Sequence, residues 1–237
     1  TNRNKKMLDV AIFGFKDSLV GQFLEIFDIN QKFNIRYFIS IDPLPYINTN
    51  YEHKKRPNDK TEFVVNDKIF GKPVYEDSEY INRLKKDNIY NVIVLEDENY
   101  KRYEIIKKLI ESNFNILTFI HNTVFIGGNN DIGPGTIIFP MSYVSYKTDI
   151  GMGTIIQSNT ILEHHNVIGK CCNINSNVTT GGFTFIGNFS TIHISTTIIN
   201  RINIGDNCVI GAGSLVLKDC DKNSLYYGLP AKKIRPS

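Results

Sequence analysis

The sequence predicts a two-part fold, a small parallel α/β domain over residues 1–118 followed by a parallel β-helix over residues 119–237. Every sixth residue from Ile120 to Val216 is aliphatic, with Thr180 as the one exception. The series runs through Ile126, Ile132, Ile138, Val144, Ile150, Ile156, Leu162, Ile168, Ile174, Ile186, Ile192, Ile198, Ile204 and Ile210. Two residues before most of these stands a small or modest side chain, among them Thr136, Ser142, Thr148, Thr154, Thr160, Cys172, Val178, Thr184, Ser190, Thr196, Cys208 and Ser214. A helix repeats at about 3.6 residues and a plain strand at about 2, so neither sustains a period of six. A solenoid does. Each hexad lays down one flat side, its aliphatic residue points inward, and stacked coils bury a continuous core. Residues 1–118 instead alternate short apolar runs with segments of helical spacing, as a parallel α/β sheet requires.

In chain order, Leu8 to Phe13 is a short, mostly apolar run that suits a buried parallel strand and ends at Gly14. Asp17 or Ser18 can cap the next segment, where Leu19, Val20, Phe23, Leu24 and Phe27 recur at helical spacing. Ile35–Ile41 reads as a second strand ending at Asp42. The polar stretch from Pro43 to Asn66 carries turn residues and reads as a long loop or hairpin. Glu76 to Asn88 is expected as a helix, Tyr90–Leu95 as a strand, Glu98–Ser112 as a helix, and Phe114–Phe119 as a strand leading into the solenoid. Ligands of parallel sheets gather at the carboxyl ends of the strands, which marks Gly14-Phe15-Lys16-Asp17-Ser18 and Asp42. The dinucleotide fingerprint G-x-G-x-x-G is absent, since only Gly14 remains of it, and Gly14 by itself reads equally as a tight turn.

The hexads take the form [LIV]-G-x-x-[STAV]-x in Ile132-Gly133 through Ile138 and again in Ile204-Gly205 through Ile210, and the tail reads Tyr227-Gly228-Leu229-Pro230-Ala231-Lys232-Lys233-Ile234. These features resemble the hexapeptide-repeat acyltransferases. The resemblance implies a left-handed β-helix with three hexads per coil, a homotrimer, and an acyl-coenzyme A donor bound between neighbouring subunits. An α/β domain ahead of such a helix is similar to the nucleotide-sugar acetyltransferases, which include UDP-4-amino-sugar N-acetyltransferases, perosamine N-acetyltransferases and sialic acid O-acetyltransferases. In that group the first domain is Rossmann-like and holds the nucleotide, with a glycine-rich turn after the first strand facing the diphosphate. The resemblance therefore implies nucleotide-sugar contacts at Gly14, Phe15, Lys16 and Asp42.

Composition bounds the alternatives. Residues 119–237 carry only 8 of the 27 Lys/Arg and 6 of the 24 Asp/Glu, so the solenoid is a weakly charged stack and the first domain a conventional globular one. A formal net charge of +3 with no basic stripe argues against a nucleic-acid partner. Lys54-Lys55-Arg56, the densest basic cluster, reads as a solvated loop. No apolar run approaches the roughly 20 residues that span a bilayer. With no secretory signal at the start, a cytoplasmic protein is expected, although a chain beginning at Thr1 leaves open a trimmed start. Cys171, Cys172, Cys208 and Cys220 show no paired metal spacing and read as reduced packing residues, so no metal is expected.

Acyl transfer from a thioester requires the attacking amine or hydroxyl to lose a proton, and a neutral imidazole can take it near neutral pH. His121 and His193 share one corner column of the solenoid, along with Phe139, Gln157 and Asn175. His164 and His165 interrupt a corner within Ile161-Leu162-Glu163-His164-His165-Asn166-Val167-Ile168-Gly169. From spacing alone the pair reads as decoration of a solvent-facing corner. The stretch also resembles the Glu-His-(acid)-x-Val-Ile-Gly motif of the acetyltransferases, which implies His164 as the catalytic base. The group often has an acid next, where this chain has His165, so Glu163, His165 or a neighbouring subunit is left to orient the ring. One coil further on, Thr180 stands beneath Leu162 and is followed by Gly181-Gly182, small residues that let a ligand approach the backbone.

The same matching implies acetyl-coenzyme A contacts at Asn173, where the group often has a second histidine, at Gly182, Ile194, Ala212 and Gly213, and at Lys232 and Lys233 toward the phosphates. A backbone N–H of this column would stabilise the oxyanion. The resulting reading is acetyl-coenzyme A-dependent N-acetylation of a nucleotide-linked, UDP-borne amino-deoxy sugar in bacterial glycan synthesis. Sialic acid-type O-acetylation is the alternative. A hexapeptide-repeat carbonic anhydrase would need three histidines converging on zinc, which the spacing does not supply, and a catalytically idle scaffold would bind no coenzyme A.

Overall fold

The computed structural model describes residues 7–14, 17–27, 33–40, 64–65, 68–69 and 71–236. Phe15, Lys16 and Asp42, together with most of the stretch read as a long loop, lie outside the described residues. Two compact units are present, Thr1–Leu95 with Ser112–Asn115, and Glu96–Glu111 with Ile116–Ser237.

The first unit contains β1 (Leu8–Phe13), α1 (Asp17–Phe27), β2 (Phe33–Ser40), β3 (Val64–Val65), β4 (Lys68–Ile69), β5 (Lys72–Glu76), α2 (Tyr80–Lys86) and β6 (Asn91–Val94). Its sheet runs β3-β4-β5-β2-β1-β6 and ends at β7 (Asn115–Ile116). The pairs β5–β2, β2–β1 and β1–β6 are parallel, whereas β3 and β4 add an antiparallel edge. Val10 to Phe13 are almost completely buried, which is why that run carries no alternation of polar side chains. Glu76 was expected to open a helix and instead closes β5, where it pairs with Ser40. Asp77 then turns the chain. Its N–H donates to Ser40 O at 3.0 Å and its carboxylate accepts from the Glu79 N–H and Arg83 Nε at 2.8 and 2.6 Å, so α2 begins only at Tyr80. Sheet pairing overrode the local helical pattern.

The second unit is a parallel β-helix together with α3 (Asn99–Glu111). Each coil pairs with the next at a separation of 18 residues, as in Ile137↔Ile155, Leu162↔Thr180 and Ile168↔Ile186. Three flat faces result. The first stacks two-residue strands from Phe119–Ile120 to Val209–Ile210, the second from Phe125–Ile126 to Leu215–Val216, and the third from Asp149–Ile150 to Asn203–Ile204. The aliphatic ladder fills the interior, and from Ile138 to Val216 its members are essentially inaccessible to solvent. Burying one such side chain is worth roughly 1.5–3 kcal/mol. The small residues two positions earlier do more than fill space. Thr136, Ser142, Thr148, Thr154, Thr160, Ser190 and Thr196 each donate a hydroxyl to a backbone carbonyl fifteen residues on.

At the corners the second turn residue has positive φ, from Asn129 (59°) through Asn159, His165, Cys171, Asn177 and Phe183 to Gly213 (66°). Most of these are not glycine, so the coil-to-coil hydrogen bonds hold a conformation that L-residues otherwise avoid. The first face continues into Ser224–Gly228, against which Ala231–Pro236 folds back antiparallel.

The boundary expected after residue 118 places α3 in the first domain, yet α3 packs with the β-helix. The reason is Arg102, which has no accessible surface. Its guanidinium donates to Gly153 O (2.7 Å), Glu96 O (2.5 Å), Cys171 O (3.0 Å), Cys172 O (3.3 Å), Asn99 Oδ1 (3.3 Å) and Asn173 Oδ1 (2.9 Å). Ile105, Ile106 and Leu109 complete the buried face of the helix.

Candidate active site

His164 and His165 occupy the two turn positions of the corner between the second and third faces. The hydrogen bonds of the stack hold this corner's backbone closely. His165 N–H donates to Tyr146 O (3.0 Å), Phe183 N–H donates to His164 O (3.0 Å), and Thr148 Oγ1 donates to Glu163 O (2.8 Å). Positive φ at His165 (58°) turns its ring beside that of His164. The two Nδ1 atoms are 3.0 Å apart, so one carries the proton and the other accepts it. With the proton on His164 Nδ1, His164 Nε2 is a free lone pair, the form a general base requires.

Aromatic packing holds His165 in place. It stacks on Phe183 (4.6 Å between centroids, 13°) and meets Tyr146 edge-on (5.7 Å, 78°), while the Arg201 guanidinium lies over the far ring at 4.9 Å. His164 is exposed and His165 half-buried. The Glu163 side chain makes no hydrogen bond among the described residues, whereas its backbone N–H and C=O are both bound. His165 is therefore the side chain in hydrogen-bonding contact with the His164 ring.

Gly182 stands one coil on from His164. A Cβ added there would lie 2.6 Å from His164 Cε1 and 2.9 Å from Nε2, so the ring rests on bare backbone and only glycine leaves room for it. The Gly182 N–H donates to no group among the described residues.

The remaining expected residues are distributed over the prism. Ile194 and Ala212–Gly213 stack on the corner between the first and second faces, with Gly213 N–H donating to Ile194 O at 2.9 Å. Asn173 lies on the first face. Its Oδ1 accepts from Arg102, and its Nδ2 donates to Asp97 O at 2.8 Å, so within one chain its amide is engaged by the segment leading into α3. Lys232 is exposed on the terminal hairpin, where it pairs with Tyr227, and Lys233 forms an ion pair with Asp221 at 2.9 Å. The chain thus brings together His164, His165 and Gly182, and sets Ile194, Ala212 and Gly213 on a different corner.

In the first unit Gly14 has φ 108°, and its added Cβ would lie 2.6 Å from Leu95 O. Gly14 N–H donates to Ile39 O and Leu95 N–H to Phe13 O, which places Gly14 where β2, β1 and β6 end side by side. Burial pushes the Cys172 thiol up to about 12, so it stays protonated and is no nucleophile. Among the described residues no group of three or more His, Cys, Asp or Glu could hold a metal ion, and no helix is long and apolar enough to cross a membrane.

The geometry can be set beside known proteins. Residues 183–218 match the family described as bacterial transferase hexapeptide (six repeats). PerB from Caulobacter crescentus, solved in complex with CoA and GDP-perosamine, is similar over 95% of this chain and 97% of its own, with TM-score 0.81 and 18% identity. The acetyltransferase domain of PglB from Neisseria gonorrhoeae, solved with acetyl coenzyme A, is similar over 96% of this chain and 100% of its own, with TM-score 0.78 and 19% identity. WeeI from Acinetobacter baumannii AYE aligns over 96% of this chain and 100% of its own, with TM-score 0.56 and 13% identity. The chain carries the transferase hexapeptide repeat and shares its fold with sugar N-acetyltransferases.

Proposed function

We propose that this protein is an acetyl-coenzyme A-dependent N-acetyltransferase acting on the amino group of a nucleotide-linked amino-deoxy sugar, with His164 as general base. The observation that carries the reading is the Nδ1–Nδ1 pairing of His164 and His165 on an open corner, directly over Gly182. His164 Nε2 accepts a proton from the sugar amine as its nitrogen bonds to the thioester carbonyl carbon. The Gly182 N–H, which donates to no group among the described residues, would stabilise the oxyanion, a role typically worth about 3–4 kcal/mol. As the carbon–sulfur bond breaks, His164 returns the proton to the departing thiolate, which leaves as free coenzyme A. His165 accepts from His164 Nδ1 throughout and supports the imidazolium that forms in between.

The separation of the two corners supports the homotrimer. Ile194, Ala212 and Gly213 stand on a different edge from His164, so a donor channel lined by all of them needs the corner of a neighbouring subunit. In the same reading the β-helix is left-handed and the first unit is a Rossmann-like nucleotide domain. Gly14 there faces the diphosphate, with Phe15, Lys16 and Asp42 beside it. UDP is the proposed carrier, the setting is cytoplasmic bacterial glycan synthesis, and Lys232 meets the coenzyme phosphates. Solved structures of the perosamine N-acetyltransferase include variants with a histidine replaced by Asn or Ala, bound to CoA and GDP-perosamine.

Thiol release tests the proposal directly. Purified protein is offered acetyl-coenzyme A with UDP- or GDP-linked 4-amino-4,6-dideoxy hexoses, or with free sialic acid. Turnover with an amino-sugar nucleotide is expected. Turnover with sialic acid alone would move the assignment to O-acetylation, and no turnover with any acceptor would remove it.

A further inference from the structure

Two exceptions to the repeat meet inside the prism beneath the histidine corner. Thr180 is the polar member of the inward ladder. Asn166 fills the slot in which the coils above and below place Thr148 and Thr184. Both side chains are completely buried. Asn166 Nδ2 donates to Thr180 Oγ1 in a short hydrogen bond, and Asn166 Oδ1 accepts from the Thr184 N–H at 2.8 Å. The Thr180 oxygen also accepts from the Glu163 N–H at 3.3 Å, and its hydroxyl proton is directed at Ile161 O at 3.5 Å. Thr148 Oγ1 donates to Glu163 O and accepts from the Asn166 N–H at 3.4 Å.

The repeat has no need of this pair. A Val or Ile at 180 would continue the ladder and a Thr at 166 the column, as neighbouring coils show. Burying an amide and a hydroxyl in a hydrocarbon stack costs desolvation that the hydrogen bonds do little more than offset. The pair is also local. Equivalent slots at the corner between the first and second faces hold Thr160, Val178 and Thr196 beneath an unbroken aliphatic ladder. Among the described residues, every hydrogen bond of the Thr180 side chain ends on residues 161–166, the segment that carries His164 and His165.

We propose that Thr180 and Asn166 are positioning residues for His164, which rests on the reading of His164 as the base. They pin the backbone from Ile161 to Asn166 from inside the prism, so that the turn holds the two imidazoles at Nδ1–Nδ1 hydrogen-bonding distance and His164 Nε2 stays unprotonated toward the acceptor. The aliphatic side chain that the ladder would otherwise use bonds to nothing and leaves that turn held by the Thr148 hydroxyl and the outer ladder.

The decisive variant is the double substitution Thr180→Val with Asn166→Thr, which restores the ordinary repeat and removes the side-chain amide that Thr180→Val alone would orphan. Its melting temperature is expected to equal or exceed that of the wild type. Its kcat is expected to fall on the order of 10- to 100-fold, as displacement of a reacting group by an ångström can do, with KM for acetyl-coenzyme A little changed. Thr180→Ser, which keeps the hydroxyl, is expected to retain most of the rate. In a His164→Ala background the double substitution should cost no further activity, because the pair would act through a ring that is gone. A double variant with full kcat, or an equal loss with and without His164, overturns the proposal. If the wild type acetylates no acceptor, the functional reading fails, and a crystal structure of the double variant still decides this one. An Nδ1–Nδ1 separation unchanged from 3.0 Å would sink it.

Discussion

The corner that carries His164 and His165 and the corner between the third and first faces share one backbone design and differ in what covers it. His165 has φ 58° and Cys171 has φ 49°, and each donates its N–H to a carbonyl one coil back, Tyr146 O at 3.0 Å and Met152 O at 2.8 Å. Over the second corner lies α3, whose Arg102 takes the carbonyls of Gly153, Cys171 and Cys172. Cys171 is sealed and its thiol pushed up by burial, whereas His164 is open to solvent. The comparison teaches that the solenoid supplies three chemically neutral edges. Under the proposed function, an edge becomes a site where the covering helix is absent and glycine takes the position beneath the His164 ring.

Removing the imidazole tests that contrast most severely. His164→Ala is expected to lower kcat/KM by roughly 10²- to 10⁴-fold with melting temperature little changed, because the lost group is the proposed proton acceptor and lies exposed at the corner. Steady-state kinetics beside calorimetry checks both halves. On the covered corner, Arg102→Ala is expected to do the reverse. It strips several buried carbonyls of their donor and should cost roughly 3 kcal/mol of stability in denaturant titration, with kcat retained in whatever remains folded.

Glycine substitutions set the two corners against each other directly. Gly182→Ala puts a methyl against the His164 ring, and roughly a 100-fold fall in kcat is expected without loss of stability. Gly153→Ala meets Ile106 Cδ1 at 2.6 Å and Cys171 Sγ at 2.8 Å at a φ of 67°. A stability loss of about 1–2 kcal/mol with unimpaired turnover is expected. Equal behaviour of the two variants would dissolve the distinction. The smallest effect is expected at Asn177, which accepts from Asn159 Nδ2 at 3.0 Å and donates to Ser195 at 3.1 Å on the remaining corner. Asn177→Ala should cost about 1 kcal/mol or less and leave kinetics untouched.

The solenoid was legible because eighteen-residue stacking repeats the same physical demand at each coil, so Ile138, Ile156 and Ile174 announce one environment three times. Thr180 is a visible break in that pattern, but its pairing with Asn166 across the interior is not readable, because sequence spacing alone does not show which side chains turn toward each other. Positive φ at the corners was also hidden, since Phe183, Lys147 and Arg201 are not residues that advertise a left-handed conformation. Arg102 carries a signal of its own. It falls at helical spacing with Ile105, Ile106 and Leu109, so a cation stood on the face that was bound to be buried. Its bonds to Gly153, Cys171 and Asn173 group α3 with the β-helix, a set of contacts that spacing alone does not show. Glu76 misled for the usual reason, a local pattern overruled by a partner strand distant in sequence.

Because successive coils register at 18 residues, the protein's length can change only in certain steps. Deleting one whole turn of the screw shortens the rod and keeps every later side chain on its own edge. Deleting a third of a turn carries every later side chain round to the next edge and parts Gly182 from His164. The antiparallel return of Ala231–Pro236 beside Ser224–Gly228 halts the screw at one end. Lineages that vary in length are therefore expected to gain or lose complete turns at a distance from the imidazole pair.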